Sequence, residues 1–92
     1  MRLTHELIEV FRTVMITGNL TRTAELLHTS QPSVSRSVAR IEQVVGFPLF
    51  ERKAGRLKPT SRGQMFFLDV QQSFVGLSSL AARAEVLRTV GA

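Results

Sequence analysis

"HTSQPSVSR", residues 28–36, decides how this chain is to be read. A proline sits among short hydroxyl side chains, just after an apolar run and just before an arginine. In the first turn of a helix, Pro32 gives up no hydrogen bond, because that amide has no intrahelical partner, and its fixed φ pre-sets the turn. The stretch therefore predicts a break at Thr29 and Ser30, then a helix from Ser30 or Gln31 to Val45 that stops at Gly46. At about 100° per residue, Val34, Val38, Ile41 and Val45 fall on one narrow stripe. Pro32, Ser33, Arg36, Arg40 and Gln43 fall opposite. The outward face is thus polar and cationic. Its short side chains at the N-terminal tip allow close approach, and free amides there favour phosphate.

Upstream, residues 4–17 read as a helix. Thr4 can cap it, Glu6 suits the positive end of the helix dipole, and Leu7, Val10, Phe11 and Val14 share one face. Gly18 ends it, and Asn19 caps a second helix over residues 20–28, with Leu20, Ala24 and Leu27 on a common face. That helix is barely more than two turns and needs tertiary packing to form. Downstream, "FPLFERKAGRLKPT" (residues 47–60) reads as a strand from Leu49 to Arg52, a glycine-containing turn "KAGR", and a returning strand at Leu57 and Lys58. Pro59 confines the returning strand to an edge. Arg52, Lys53, Arg56 and Lys58 make the tip of this ribbon basic.

Thr60 caps a last helix that runs to about Arg88, roughly 40 Å at 1.5 Å per residue. Phe66, Val70, Ser73, Leu77, Leu80, Ala84 and Leu87 alternate in steps of four and three, a heptad-like seam that Phe67, Phe74 and Ala81 widen. Too little chain remains to cover its far end, so the pattern predicts a homodimer through this helix. Gly76 within it marks close approach of a partner helix or a mild bend. The fold class is mainly α: three helices and a two-stranded wing in residues 1–60, then a long linker or dimerisation helix in 61–92. The closing "TVGA" adds no compact element, and the expectation is a piece of a longer protein.

Composition narrows the partner. At 43% hydrophobic residues the chain should fold as one small domain. No apolar run approaches membrane-spanning length, and the N-terminus lacks an apolar signal core, so neither a membrane nor secretion is expected. The absence of cysteine fits a reducing, cytoplasmic setting, and His5 and His28 have no metal-like spacing. The formal charge is +5, and residues 36–62 hold all of the excess, with seven basic residues against two acidic ones. Such a patch points to a polyanion, most often nucleic acid, against the plainer reading of a solvated basic face.

The chain resembles the N-terminal DNA-binding domain of LysR-type transcriptional regulators. The resemblance runs without gaps through "FRTVMITGNLTRTAELLHTSQPSVSRSVARIEQVVGFPLFERKAGRLKPTSRG". Ala24, Leu27, Gln31, Pro32 and Ser35 carry the family's helix-turn-helix core, and "IEQVVGFPLFER" its following segment with Ile41 in place of leucine. "KPTSRG" keeps Thr60 and Gly63 but has Ser61 where the family has proline. "LLHTSQPSVSR" and "VQQSFVGL" resemble the branch of the lysine-biosynthesis and opine-catabolism regulators. The resemblance implies a winged helix-turn-helix with its third helix in the major groove and its wing near the minor groove or backbone. It also implies a bacterial regulator that dimerises through the long helix, often within a tetramer, on interrupted palindromes of double-stranded DNA. No cofactor is expected in this segment. A small-molecule effector is expected to bind a C-terminal domain outside it.

Gln31, Pro32, Ser33, Ser35 and Arg36 match the family's base-reading positions. Glutamine can pair bidentately with adenine, arginine with guanine, and a proline ring can meet a thymine methyl. The bland readings are a structural role for Ser35, helix initiation alone for Pro32, and a phosphate contact for Arg36. Thr21, Arg22, Thr29, Ser30 and Arg40 fit phosphate contacts, although Arg22 could simply pair with Glu25. Arg52, Lys53 and Arg56 belong to the wing, the last two otherwise being merely solvated. His28 stands in the inter-helix turn where glycine is common and reads as structural. The dimer seam is expected to use Phe67, Val70, Phe74, Leu77, Leu80, Ala81, Ala84 and Leu87. An enzyme is disfavoured, because Ser33 and Ser35 have no His–Asp partner pattern and no phosphate-binding glycine loop exists. A protein-interaction module would need no cationic recognition face. An architectural DNA binder would differ only in lacking base readout.

Overall fold

The computed structural model describes the backbone of residues 2–53 and 56–90, and the side chains of these except 74–78. Four helices and one antiparallel ribbon make up the described residues: α1 (His5–Thr17), α2 (Leu20–Leu26), α3 (Gln31–Val45), β1 (Phe50–Lys53), β2 (Arg56–Pro59) and α4 (Ser61–Val90). This is the expected winged helix-turn-helix followed by a long helix. The caps are those the sequence predicts. The Thr4 hydroxyl accepts from the Leu7 amide at 3.2 Å and the Asn19 side chain from Arg22 at 2.9 Å, while Gly18 and Gly46 take left-handed φ values of 66° and 86°.

α2 is shorter than expected. It ends at Leu26, and Leu27 and His28 form its exit. The Thr29 amide donates to the Ala24 carbonyl at 2.9 Å and the His28 amide to Glu25 at 3.2 Å. These are the paired bonds of a Schellman ending, and His28, with φ 55°, occupies the left-handed position that glycine usually fills. The structural reading of His28 follows from that geometry.

Two packed groups join at α1. Leu7, Phe11, Ile41, Leu49 and Val70 form one; Val14, Leu20, Ala24, Val34 and Val38 form the other, and Phe50 touches both. Phe11 is fully buried among Phe66, Phe50 and Phe67, with ring centroids 5.2, 5.8 and 6.3 Å away. Thr23, also fully buried, is satisfied by the Thr17 hydroxyl at 2.8 Å.

The ribbon begins one residue later than the sequence suggests. Leu49 stays outside the ladder because its amide donates to Glu42 (2.6 Å) and its carbonyl accepts from the Thr60 amide (2.9 Å). Of the predicted turn "KAGR", Lys53 and Arg56 instead belong to the strands, and Ala54 and Gly55 lie outside the described residues. Pro59 closes β2 opposite Phe50.

α4 needs the largest correction. Its first turns belong to the body of the domain: Val70 is only 3% exposed, Phe66 and Phe67 pack on the same core, and Arg12 Nε donates to Gln71 Oε1 at 2.7 Å. Val70 therefore cannot lie in an intermolecular seam, and Phe67 is largely committed to its own chain. The division drawn at residue 60 marks where the helix starts, whereas its packing against the body reaches Gln71. Beyond that point Leu80 is 67% and Leu87 54% exposed, and Ala81 and Ala84 are exposed as well. Phe74 and Leu77 fall outside the described side chains. The free half of α4 stretches the molecule to 56 × 26 × 24 Å.

Gly63 is buried where the first turn of α4 meets the loop before β1. A Cβ built there would lie 2.3 Å from the Leu49 carbonyl oxygen. Gly63→Ala should lower the unfolding free energy by about 2–3 kcal/mol, because this backbone clash outweighs the helix-propensity gain of about 1 kcal/mol. Urea denaturation measures this, and an unchanged midpoint would mean that the loop simply gives way.

Candidate nucleic-acid interface

The tip of α3 is built by its cap. The Ser30 hydroxyl accepts from the Ser33 amide at 3.2 Å and donates to the Ser33 hydroxyl at 3.0 Å, and Pro32 stands in the first turn. Arg36 Nη2 donates to the same Ser33 hydroxyl at 3.1 Å. The guanidinium is thus drawn back toward the helix tip, one turn from its own Cα. Ser33 is half-buried and its oxygen is occupied, so it orients Arg36 rather than standing free as the helical projection implies.

α3 has two unlike flanks. Gln31 and Ser35 lie toward the wing. Gln31 lines an open cleft of about 550 Å³ with Gly18, Asn19, Thr21, Arg52, Arg56 and Lys58. This cleft joins one expected base-reading residue, one expected phosphate contact and two wing arginines from four separate stretches of chain. Pro32, Arg36, Ala39, Arg40 and Gln43 are exposed outward. On the opposite flank, Thr29, Ser33 and Ser37 border a depression of about 280 Å³ with Glu6 and Glu9 of α1. Those acids disfavour phosphate within that depression. Arg40 lies between these regimes, in a groove that also holds Arg2 and Glu6. Arg22 pairs with Glu25 at 3.3 Å, but both side chains are about 60% exposed and such a pair contributes at most about 1 kcal/mol, leaving the arginine easily redirected.

The wing concentrates positive charge. Register places Glu51 opposite Lys58, Arg52 opposite Leu57, and Lys53 directly opposite Arg56. Like charges facing each other across a ribbon are mutually destabilising, and an anion at the tip relieves this. Arg62 is engaged elsewhere, with its guanidinium 5.8 Å from the centre of the Phe47 ring.

Sequence reasoning counted Lys58 in the basic tip of the ribbon but assigned no site role to Asn19 or Arg2. Asn19 and Arg2 are brought to the surface only by tertiary packing. Among the described residues no group of His, Cys, Asp and Glu could hold a metal ion, and no helix is long and apolar enough to cross a membrane.

Ser30 has a structural duty in addition to its expected phosphate contact. Ser30→Ala should cost about 1 kcal/mol of stability without DNA, whereas Ser30→Gly should cost only a few tenths. Equal losses in chemical denaturation would contradict the capping role.

Residues 5–64 match the family described as "Bacterial regulatory helix-turn-helix protein, lysR family". The chain is 54% identical over 81 residues to "Transcriptional activator protein LysR" of Escherichia coli (strain K12), covering 88% of this chain and 26% of that protein. It is 37% identical over 73 residues to "Octopine catabolism/uptake operon regulatory protein OccR" of Rhizobium meliloti, covering 79% and 25% respectively. Both relatives fit the single branch anticipated from the sequence, and the chain spans about a quarter of their length. Its fold matches the BenM DNA-binding domain solved with catB site 1 DNA, with a TM-score of 0.91, 20% identity, and coverage of 98% of this chain and 97% of that one. The capped third helix, the basic wing, the long fourth helix and these likenesses agree, and the chain belongs to the LysR family of bacterial regulatory helix-turn-helix proteins.

Proposed function

We propose that this chain binds double-stranded DNA sequence-specifically as a homodimer, within a bacterial transcriptional regulator. The observation that carries the reading is the cleft in which Gln31, at the capped tip of α3, meets Thr21, Arg52, Arg56 and Lys58. α3 enters the major groove, with Gln31, Pro32, Ser35 and Arg36 presented to base edges and Ser33 setting the direction of Arg36. The wing lies along the adjacent minor groove or backbone, with Arg52, Lys53 and Arg56 on phosphates. Thr21, Arg22, Ser30 and Arg40 fix the register without reading sequence. No covalent chemistry is assigned to the chain: Ser30 caps α3 and Ser33 orients Arg36. A small-molecule effector binds elsewhere in the protein, and the setting is cytoplasmic.

Two copies join through the far half of α4. Leu80, Ala81, Ala84 and Leu87 are exposed along it, as a helix that awaits a partner requires. Paired two-fold, the recognition helices then read an interrupted palindrome. A tetramer in the longer protein fits the same reading.

Selection of random duplexes by the chain at physiological salt, with Arg36→Ala in parallel, tests base readout. An enriched interrupted palindrome is expected, and Arg36→Ala should blur it by about 1–3 kcal/mol of discrimination at the affected position. Retained DNA without a consensus would reduce the chain to an architectural binder. Sedimentation tests assembly. The unsubstituted chain should run as a dimer at micromolar concentration, and Leu80→Glu with Leu87→Glu as a folded monomer. A monomeric unsubstituted chain would remove the seam from the reading.

A further inference from the structure

We propose that Glu42 is a positioning residue for DNA binding, whose carboxylate holds the wing at its working distance from the recognition helix. The proposal rests on the DNA-binding reading above. Glu42 lies on the wing-facing flank of α3 and is half-buried. Its Oε2 accepts the Leu49 amide at 2.6 Å and the Phe50 amide at 3.2 Å. These are the residue before β1 and the first residue of β1. One carboxylate oxygen therefore ties α3 to the root of the ribbon by two charge-assisted bonds.

Leu49 and Phe50 also anchor that root by packing, and Thr60 bonds the Leu49 carbonyl, but the Glu42 bonds are the directional ones that join the root to α3. Phe50 stands opposite Pro59 at the open end of the ribbon, and its amide is turned to Glu42 rather than across the ladder. Farther out, an open cleft of about 220 Å³, bordered by Ser35, Ala39, Glu51 and Arg52, separates α3 from the ribbon. Arg52, Arg56 and Lys58 are carried on that ribbon, so their placement relative to Gln31 and Arg36 depends on its root. An acid on a DNA-facing helix also weakens DNA binding by its charge. Glu42 is accounted for by the two amides it holds.

The two effects oppose each other and can be separated. Glu42→Gln removes the charge but keeps a side-chain oxygen that can accept both amides. Glu42→Ala removes charge and acceptor together. Affinity for a labelled mixed-sequence B-form duplex would be measured across a salt series, with folding followed by circular dichroism. Glu42→Gln should bind at least as tightly as the unsubstituted chain. Glu42→Ala should bind about three- to tenfold more weakly than Glu42→Gln, a coupling typical of residues that share one network. Its dependence of log affinity on log salt should be shallower by about 0.9 for each phosphate contact the wing gives up. In an Arg52→Ala, Arg56→Ala background, the difference between the two Glu42 variants should shrink. If Glu42→Ala does not fold, Glu42→Asp replaces it: the charge stays, the carboxylate is withdrawn by one methylene, and weakening relative to the unsubstituted chain is expected. Equal affinities and equal salt slopes for Glu42→Ala and Glu42→Gln, or unchanged binding by Glu42→Asp where it is needed, would overturn the proposal and leave DNA binding intact. Failure of the unsubstituted chain to bind any duplex would overturn the reading beneath it.

Discussion

The peptide of Leu49 is the joint on which the rest of the structure depends. Its amide is held by Glu42 of α3, its carbonyl accepts from Thr60 just before α4, and its side chain is fully buried against α1 and α3 residues. The Thr60 hydroxyl adds a bond to the neighbouring Pro48 carbonyl at 2.7 Å and accepts from Gly63 at 2.9 Å, capping α4 in the same step. Recognition helix, wing and long helix therefore converge on a few backbone groups. A domain of 92 residues has a small core, so relative placement relies on such directional bonds as much as on buried area.

Charge on the domain has direction. The wing-side flank of α3 faces Arg52, Arg56 and Lys58, whereas the other flank faces Glu6 and Glu9. A polyanion approaching the tip of α3 meets attraction on one side and repulsion on the other, which orients it before any specific contact forms. Lys53 facing Arg56 is unfavourable within the isolated ribbon and favourable once phosphate lies between them. This local cost makes sense for a surface shaped around a partner.

α4 does two jobs in sequence. Its first turns are part of the core through Phe66, Phe67 and Val70, and the Arg12–Gln71 bond adds to that attachment. Farther along, Leu80, Val86, Leu87 and Val90 are exposed. A rigid helix rooted in the domain turns any pairing of its far half into a fixed spacing between two recognition helices, as half-site recognition requires.

Local signals made much of this legible in the sequence. Thr4, Asn19, Ser30 and Thr60 announce helix starts, Gly18 and Gly46 announce ends, and Pro32 identifies the first turn of α3, because caps and proline act within a few residues along the chain. The stripe Val34, Val38 and Ile41 and the run of basic residues from Arg36 to Arg62 were equally plain, since periodicity and charge are properties of the string. Other features needed the folded chain. A heptad-like spacing assigns Val70 to a seam as readily as to a core, and only the position of α1 decides between them. Ser33 looked free until packing and the Ser30 cap occupied it, and nothing nearby along the chain gives Glu42 its task until the loop brings two amides to its oxygen. Sequence alone determined the elements, their order and the sign of the surface, because those follow from neighbours along the chain. Tertiary structure alone decided which polar groups are already engaged and which remain for a partner, because that depends on residues distant in sequence arriving at the same place.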